Sequence, residues 1–101
     1  MKKILFSILI IFFNNNTLAE DKMKIGAEIY KNKAMCGTCH TLKAAGSIGA
    51  IGPNLDDLKP QIEQIIYAVK NGIGVMQHWS DILTDEEIES VSFYVFNSTN
   101  K

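Results

Sequence analysis

The residues most able to do chemistry lie in one short stretch, AMCGTCHTL, at positions 34–42. It holds both cysteines of the chain, Cys36 and Cys39, and the second is followed directly by His40, one of two histidines. A thiol pair at this spacing can form a disulfide, act as a redox dithiol or attach a prosthetic group. The spacing alone leaves all three possibilities open.

The three possibilities differ in how many of these side chains they use. A disulfide between Cys36 and Cys39 would close a very small loop and stabilise the fold little. A thioredoxin-like dithiol needs a βαβ framework, and the sequence shows no strand-like alternation. Covalent haem attachment uses both thiols, which add across the haem vinyl groups, and also the adjacent imidazole. We therefore predict one haem c bound through Cys36 and Cys39, with His40 as an iron ligand.

A second iron ligand must come from elsewhere, and the candidates are Met23, Met35, Met76 and His78. Met35 adjoins Cys36 and cannot reach the opposite face of the ring, while Met23 is better explained as apolar packing. Met76 lies in a glycine-bearing segment that can fold over a ring, and its thioether is a soft ligand that favours ferrous iron. We predict Met76 as the ligand. His78 is the alternative, and would give two histidine ligands and a lower potential.

Three helices are predicted to position these residues. The first covers about 22–33. The second opens at Pro60 and carries an apolar stripe at helical spacing, formed by Ile62, Ile65, Ile66 and Val69. It ends at Asn71-Gly72. The third begins at Thr84, where Glu87 completes a capping box. These elements predict an all-α domain.

The segment Thr41–Lys59, between the first two helices, is rich in alanine, glycine and serine. So long a loop without secondary structure would normally count against the helix assignment. It is explained if the loop wraps a haem, a flat apolar disc that replaces the missing core. We expect short residues to let the backbone approach the ring closely, namely Ala44, Ala45, Gly46, Gly49 and Ala50.

The first 19 residues have the composition of an export signal. Lys2 and Lys3 precede the apolar run 4–13, and small residues suit cleavage after Ala19. The run is about half of the roughly 20 residues needed to span a bilayer. We predict a cleaved signal peptide over residues 1–19 and one domain over residues 20–101, located in a bacterial periplasm without a membrane span.

Charge sets limits on the partners of the exported part. Loss of Lys2 and Lys3 would take the formal charge from −1 to −3, and the chain has no arginine, which argues against nucleic acid. Acidic residues concentrate in the third helix, where first-turn acids are expected, while lysines concentrate in the haem-bearing half. We predict a charge dipole that orients the domain toward an acidic partner, with Lys33 and Lys43 near the haem edge.

Taken together, these features resemble the class I c-type cytochromes over essentially all of the exported chain. The resemblance rests on the haem motif, on Gly52-Pro53-Asn54-Leu55 and on Met76. It implies a small cytochrome c fold with three main helices and a long loop around one haem. It also implies that the Pro53 carbonyl contacts the ligating histidine, and that the helices cross through Gly26, Tyr30, Val91 and Tyr94. The family's methionine is commonly followed by proline, whereas this chain has Gln77.

With both axial positions filled, the iron has no open site. We therefore predict an electron carrier rather than an enzyme, without catalytic residues, as a monomer or a subunit of a heteromeric complex. Its expected partners are a periplasmic dehydrogenase as donor and a cytochrome or terminal oxidase as acceptor. Segments 40–42, 49–56 and 69–76 resemble the small cytochrome subunits or partners of periplasmic sulfite dehydrogenases. The alternatives are a tightly bound dehydrogenase subunit, or a haem peroxidase or gas-binding protein with a labile Met76.

Overall fold

Helices make up most of the computed structural model, which describes residues 15–101. They are α1 (Asn15–Glu28), α2 (Leu55–Leu58), α3 (Ile62–Asn71) and α4 (Asp85–Thr99). The predicted all-α class is confirmed. In this part of the chain, no helix has both the length and the apolarity that a bilayer crossing requires.

The first helix is longer than predicted. It begins at Asn15 rather than near residue 22, and its last turn, Ile29–Lys33, is a π-helix that ends where the sequence predicted. A π turn holds more residues than an α turn. It therefore changes which residues share a helix face just before Cys36. The predicted signal peptide lies mostly outside the described residues, and α1 contains only its last five. Its cleavage stays a prediction.

The ends of α3 and α4 follow from local capping. At α4 the predicted capping box is present: the Thr84 Oγ1 accepts from the Glu87 amide at 3.1 Å, and the Glu87 carboxylate accepts from the Thr84 amide at 2.9 Å. The second predicted helix starts at Ile62 rather than at Pro60, because Gln61 and Gln64 form their own capping box. It ends at Asn71, as predicted.

The segment 41–59 is more ordered than a wrapping loop. It contains α2 and a hairpin of two short strands, β1 (Thr41–Leu42) and β2 (Ser47–Ile48), which pair antiparallel. Two-residue strands are too short to produce a visible alternation in the sequence, which is why we did not predict them. Asn54 caps α2, since its side-chain oxygen accepts from two backbone amides in the first turn.

The crossing of α1 and α4 forms the closest contact between helices. A Cβ added to Gly26 would lie 2.2 Å from the Ser90 carbonyl oxygen and 2.6 Å from the Tyr94 Cβ. One turn on, the rings of Tyr30 and Tyr94 pack with centroids 5.8 Å apart. The crossing implied by the resemblance is therefore present. The buried core continues from it through Ile29, Leu42, Ile65, Val69, Leu83, Ile88, Val91 and Val95.

Candidate functional site

The core is interrupted by a large cavity between α3, α4 and the attachment motif. Its volume is about 740 Å³, within the range of about 300–1,000 Å³ that is usual for cofactor sites. Every predicted site residue lines it: Cys36, Cys39, His40, Pro53 and Met76. Among residues 15–101, no aspartate, glutamate, lysine or arginine lines it. The structure thus gathers the predicted set around one apolar space.

The two cysteines lie on and just after a single 3₁₀ turn, Cys36–Thr38. Met35 precedes this turn in a left-handed conformation, with φ of 51°. Burial raises the pKa of the Cys36 thiol to about 11, whereas redox dithiols have a lowered thiol pKa. The hairpin also offers no βαβ framework. The structure therefore does not support the dithiol interpretation.

The His40 imidazole is held from two sides. Its Nδ1 lies 2.8 Å from the Pro53 carbonyl oxygen, and since a carbonyl only accepts, Nδ1 carries a proton, which in a neutral imidazole leaves the lone pair on Nε2. Behind the ring, a Cβ on Gly52 would lie 2.5 Å from the His40 Cε1. This contact explains the need for glycine at position 52. The arrangement leaves Nε2 free to bind a metal.

Met76 reaches the cavity from a tight turn after α3. The backbone groups of Ile73 and Met76 hydrogen-bond to each other at 2.9 and 3.2 Å. Glycines with positive φ, Gly72 and Gly74, shape this turn, because side chains disfavour that conformation. The Met76 side chain is half-buried against the core. A thioether is therefore fixed at the wall of the cavity.

The other ligand candidates are placed differently. His78 does not line the cavity; it is exposed, and its Nε2 lies 3.0 Å from an Asp81 carboxylate oxygen. Met23 packs against the buried core, and Met35 is exposed at the rim beside Cys36. The structure thus brings Met76 to the cavity and leaves His78 outside it.

The small residues of the loop do not act as predicted. None of the alanines and glycines between positions 44 and 50 lines the cavity. Gly49 lies instead against the 3₁₀ turn Cys36–Thr38, which we call the attachment turn. A Cβ on Gly49 would be 2.6 Å from the Gly37 and Thr38 carbonyl oxygens. Ser47, which sequence reasoning missed, contacts the same turn. Its only signal was its place in a segment of small residues.

The residues present fit a covalently bound haem. The cavity is apolar and large enough for a cofactor. One wall carries two unbonded thiols, Cys36 and Cys39, next to an imidazole whose tautomer leaves Nε2 available. The soft thioether of Met76 lies on the same cavity and suits iron.

Comparison with known proteins gives consistent results. Residues 21–95 match a family model described as cytochrome c oxidase, cbb3-type, subunit III. Cytochrome c6 of Bryopsis maxima is 36% identical over 89 residues, covering 78% of this chain and 94% of that protein. Chloroplastic cytochrome c6 of Chlamydomonas reinhardtii is 33% identical over 84 residues, covering 73% and 53%. The crystal structure of the c-type cytochrome SorU from Sinorhizobium meliloti is 49% identical with a TM-score of 0.75, covering 81% of this chain and 95% of that one.

Proposed function

This chain belongs to the monohaem class I c-type cytochromes, and on that premise we propose that it carries single electrons between redox proteins of a bacterial periplasm. It binds one haem c covalently through Cys36 and Cys39. When bound, the haem supplies a ferric–ferrous couple. The proposed donor is a periplasmic dehydrogenase, and the proposed acceptor is a cytochrome or a terminal oxidase.

We propose that His40 and Met76 would hold the haem iron. The observation that carries this proposal is that both side chains line the cavity that also holds the two cysteines. The Pro53 carbonyl orients His40, and the turn at Ile73 presents Met76. Held by these two side chains, a haem would supply one-electron transfer, which needs no open position for a substrate.

The peroxidase or gas-binding alternative needs a distal acid or base near the iron. The residue that the sequence offered for this role, His78, is exposed and bound to Asp81 outside the cavity. The remaining titratable side chains on the described cavity wall are Tyr30, Cys36, Cys39 and His40. Cys36, Cys39 and His40 are proposed to hold the haem, and the Tyr30 phenol is hydrogen-bonded to Ser47, so the geometry favours a carrier.

Replacement of Met76 by alanine tests the ligand assignment. We expect the ferric haem-loaded protein to show the weak near-infrared absorption of a methionine–iron bond. This band should disappear in Met76→Ala, and the potential should fall because a soft ligand is lost. His78→Ala is the matched control and should keep both. The opposite pattern would assign the ligand role to His78.

The charge distribution differs from the predicted dipole. Acidic residues of α4 form ion pairs with lysines of the other helices. The pairs are Lys33 with Glu87, Lys22 with Glu89, and Lys70 with Asp85 at 3.9 Å. Lys43 lies on a separate polar cleft that it shares with Asp56, and it does not line the haem cavity. Acidic and basic residues that are far apart in the sequence therefore lie next to each other in the structure.

We propose instead that the partner docks on the uncharged mouth of the cavity. Apolar side chains surround it, and Met35, Ile51 and Val75 are 60%, 70% and 92% exposed. A partner that covers them must offer a similarly uncharged, apolar patch, because charged groups would be desolvated there without a counter-charge. This proposal replaces the docking through Lys33 and Lys43 that the charge pattern of the sequence suggested.

A lysine at the mouth should hinder docking. In Val75→Lys we expect electron self-exchange between two copies, measured by NMR line broadening, to slow about ten-fold, because like charges would face each other. Ile48→Lys is the matched control, since Ile48 is 86% exposed but lies off the cavity; its rate should stay close to wild type. Equal rates in the two variants would show that this mouth is not the contact surface.

A further inference from the structure

Ser47 lies where three segments of the chain meet. Its hydroxyl forms a hydrogen bond of 2.9 Å with the Tyr30 phenol, in the π turn at the end of α1. It also accepts from the Leu42 amide at 3.0 Å, on the strand that follows His40. Its Cβ lies 2.6 Å from the place that a Cβ on Gly37 would occupy. One small side chain thus joins the helix, that strand and the attachment turn.

The Tyr30 phenol depends on this contact. Tyr30 is only 1% exposed, and burial raises its pKa to about 12, so it keeps its proton. A buried hydroxyl without a partner costs about 1–3 kcal/mol. The other group near this phenol is the His40 carbonyl oxygen at 3.4 Å, which is long for a hydrogen bond. Ser47 is therefore its principal partner.

The segment from Ser47 to Pro53, which we call the strap, passes over the attachment turn. The Thr41 hydroxyl donates to the Gly49 carbonyl at 2.9 Å. The Gly52 amide donates to the Cys39 carbonyl at 2.7 Å. At the far end, the Pro53 carbonyl accepts from the His40 Nδ1. The strap thus runs from Ser47 to the Pro53 carbonyl, and the two hydrogen bonds between its ends both join it to residues 39–41.

We propose that Ser47 is a positioning residue for His40, which it affects by holding the strap against the attachment turn so that the Pro53 carbonyl stays on Nδ1. This inference rests on the proposed ligation of iron by His40. A hydrogen bond at Nδ1 makes the imidazole more basic, and a more basic ligand favours the ferric state. A loosened strap therefore shifts the reduction potential upward.

Hydrogen exchange in the reduced, haem-loaded protein tests this role. In Ser47→Ala we expect the His40 Nδ1 proton and the Gly52 amide to exchange about ten-fold faster than in wild type. This is the factor that corresponds to the free energy of one lost hydrogen bond. The Val95 amide in α4 should exchange at an unchanged rate, and the potential should rise. Ser80→Ala removes an exposed hydroxyl and serves as the control, with no change expected.

A second variant, Tyr30→Phe, tests the same role in case the Ser47→Ala protein does not bind haem. Tyr30→Phe removes only the phenol hydroxyl, and it should accelerate the same two protons. If the Val95 amide exchanges faster by the same factor, Ser47 stabilises the whole fold and the proposal is wrong. Exchange rates of the His40 and Gly52 protons that stay unchanged in both variants would also overturn it. A wild-type protein without the methionine–iron band, or with a His40 ring that is not iron-bound, would instead refute the proposed function.

Discussion

The Cys36→Ser/Cys39→Ser variant is expected to be largely unfolded, with weak helical circular dichroism and no cooperative thermal transition. Without thioethers, haem is not retained, and the cavity of about 740 Å³ loses its contents. Empty apolar space costs about 24 cal/mol per Å³. At that rate the cavity would cost on the order of 18 kcal/mol, above the whole stability of about 5–15 kcal/mol of a typical domain. This figure is an upper limit, because the cavity has an open mouth through which water can enter.

The control for this variant is the wild-type chain produced without haem attachment. It keeps both thiols but lacks haem, so it should be as unfolded as the double variant. Mass spectrometry should show the mass of one haem only in the wild-type protein produced with haem attachment. A double variant that melts cooperatively with native helicity would contradict the expectation. It would mean that the residues around the cavity, such as Ile65 and Val95, form a sufficient core alone.

Gly26→Ala should destabilise the haem-loaded protein by about 2 kcal/mol, although alanine is ordinarily better than glycine inside a helix by about 1 kcal/mol. The new Cβ would lie 2.2 Å from the Ser90 carbonyl oxygen. That oxygen belongs to α4 and cannot rotate away, so the two helices must separate. In a thermal melt we expect a midpoint lower by about 10 °C.

Lys24→Ala is the matched substitution on the same helix, at an exposed position. It should change the stability by no more than about 0.5 kcal/mol. If Gly26→Ala is as stable as wild type, α1 and α4 do not approach as closely as the structure shows.

Much of the fold was predictable because its signals are local. The capping box at Thr84 and the stop at Asn71 involve neighbours within one turn, so the chain itself displays them. The start of α1 was missed because residues 1–19 were assigned to the signal peptide, so the helix was predicted only from about residue 22. The hairpin was missed because strands of two residues have no period.

The predicted site residues all line one cavity, whereas three of the lysines expected on one side of a charge dipole form ion pairs with acids of α4. Lys33 and Glu87 are 54 positions apart, and nothing local indicates that they form an ion pair. The place of Ser47 between Tyr30 and Leu42 is likewise a product of the hairpin register.

The sequence by itself indicated the chemistry of this protein: two thiols and an imidazole within five residues, in a chain with helical signals and no strand-like alternation, favour a haem attachment site. Its helical class followed from caps and apolar spacing, which are also local. Only the tertiary structure decided which groups surround that chemistry. It kept His78 away from the cavity, paired Lys22, Lys33 and Lys70 with acids of α4 and left the mouth of the cavity without charged side chains. These outcomes depend on contacts between residues distant in the chain, and such contacts form only when the helices and the strap pack together.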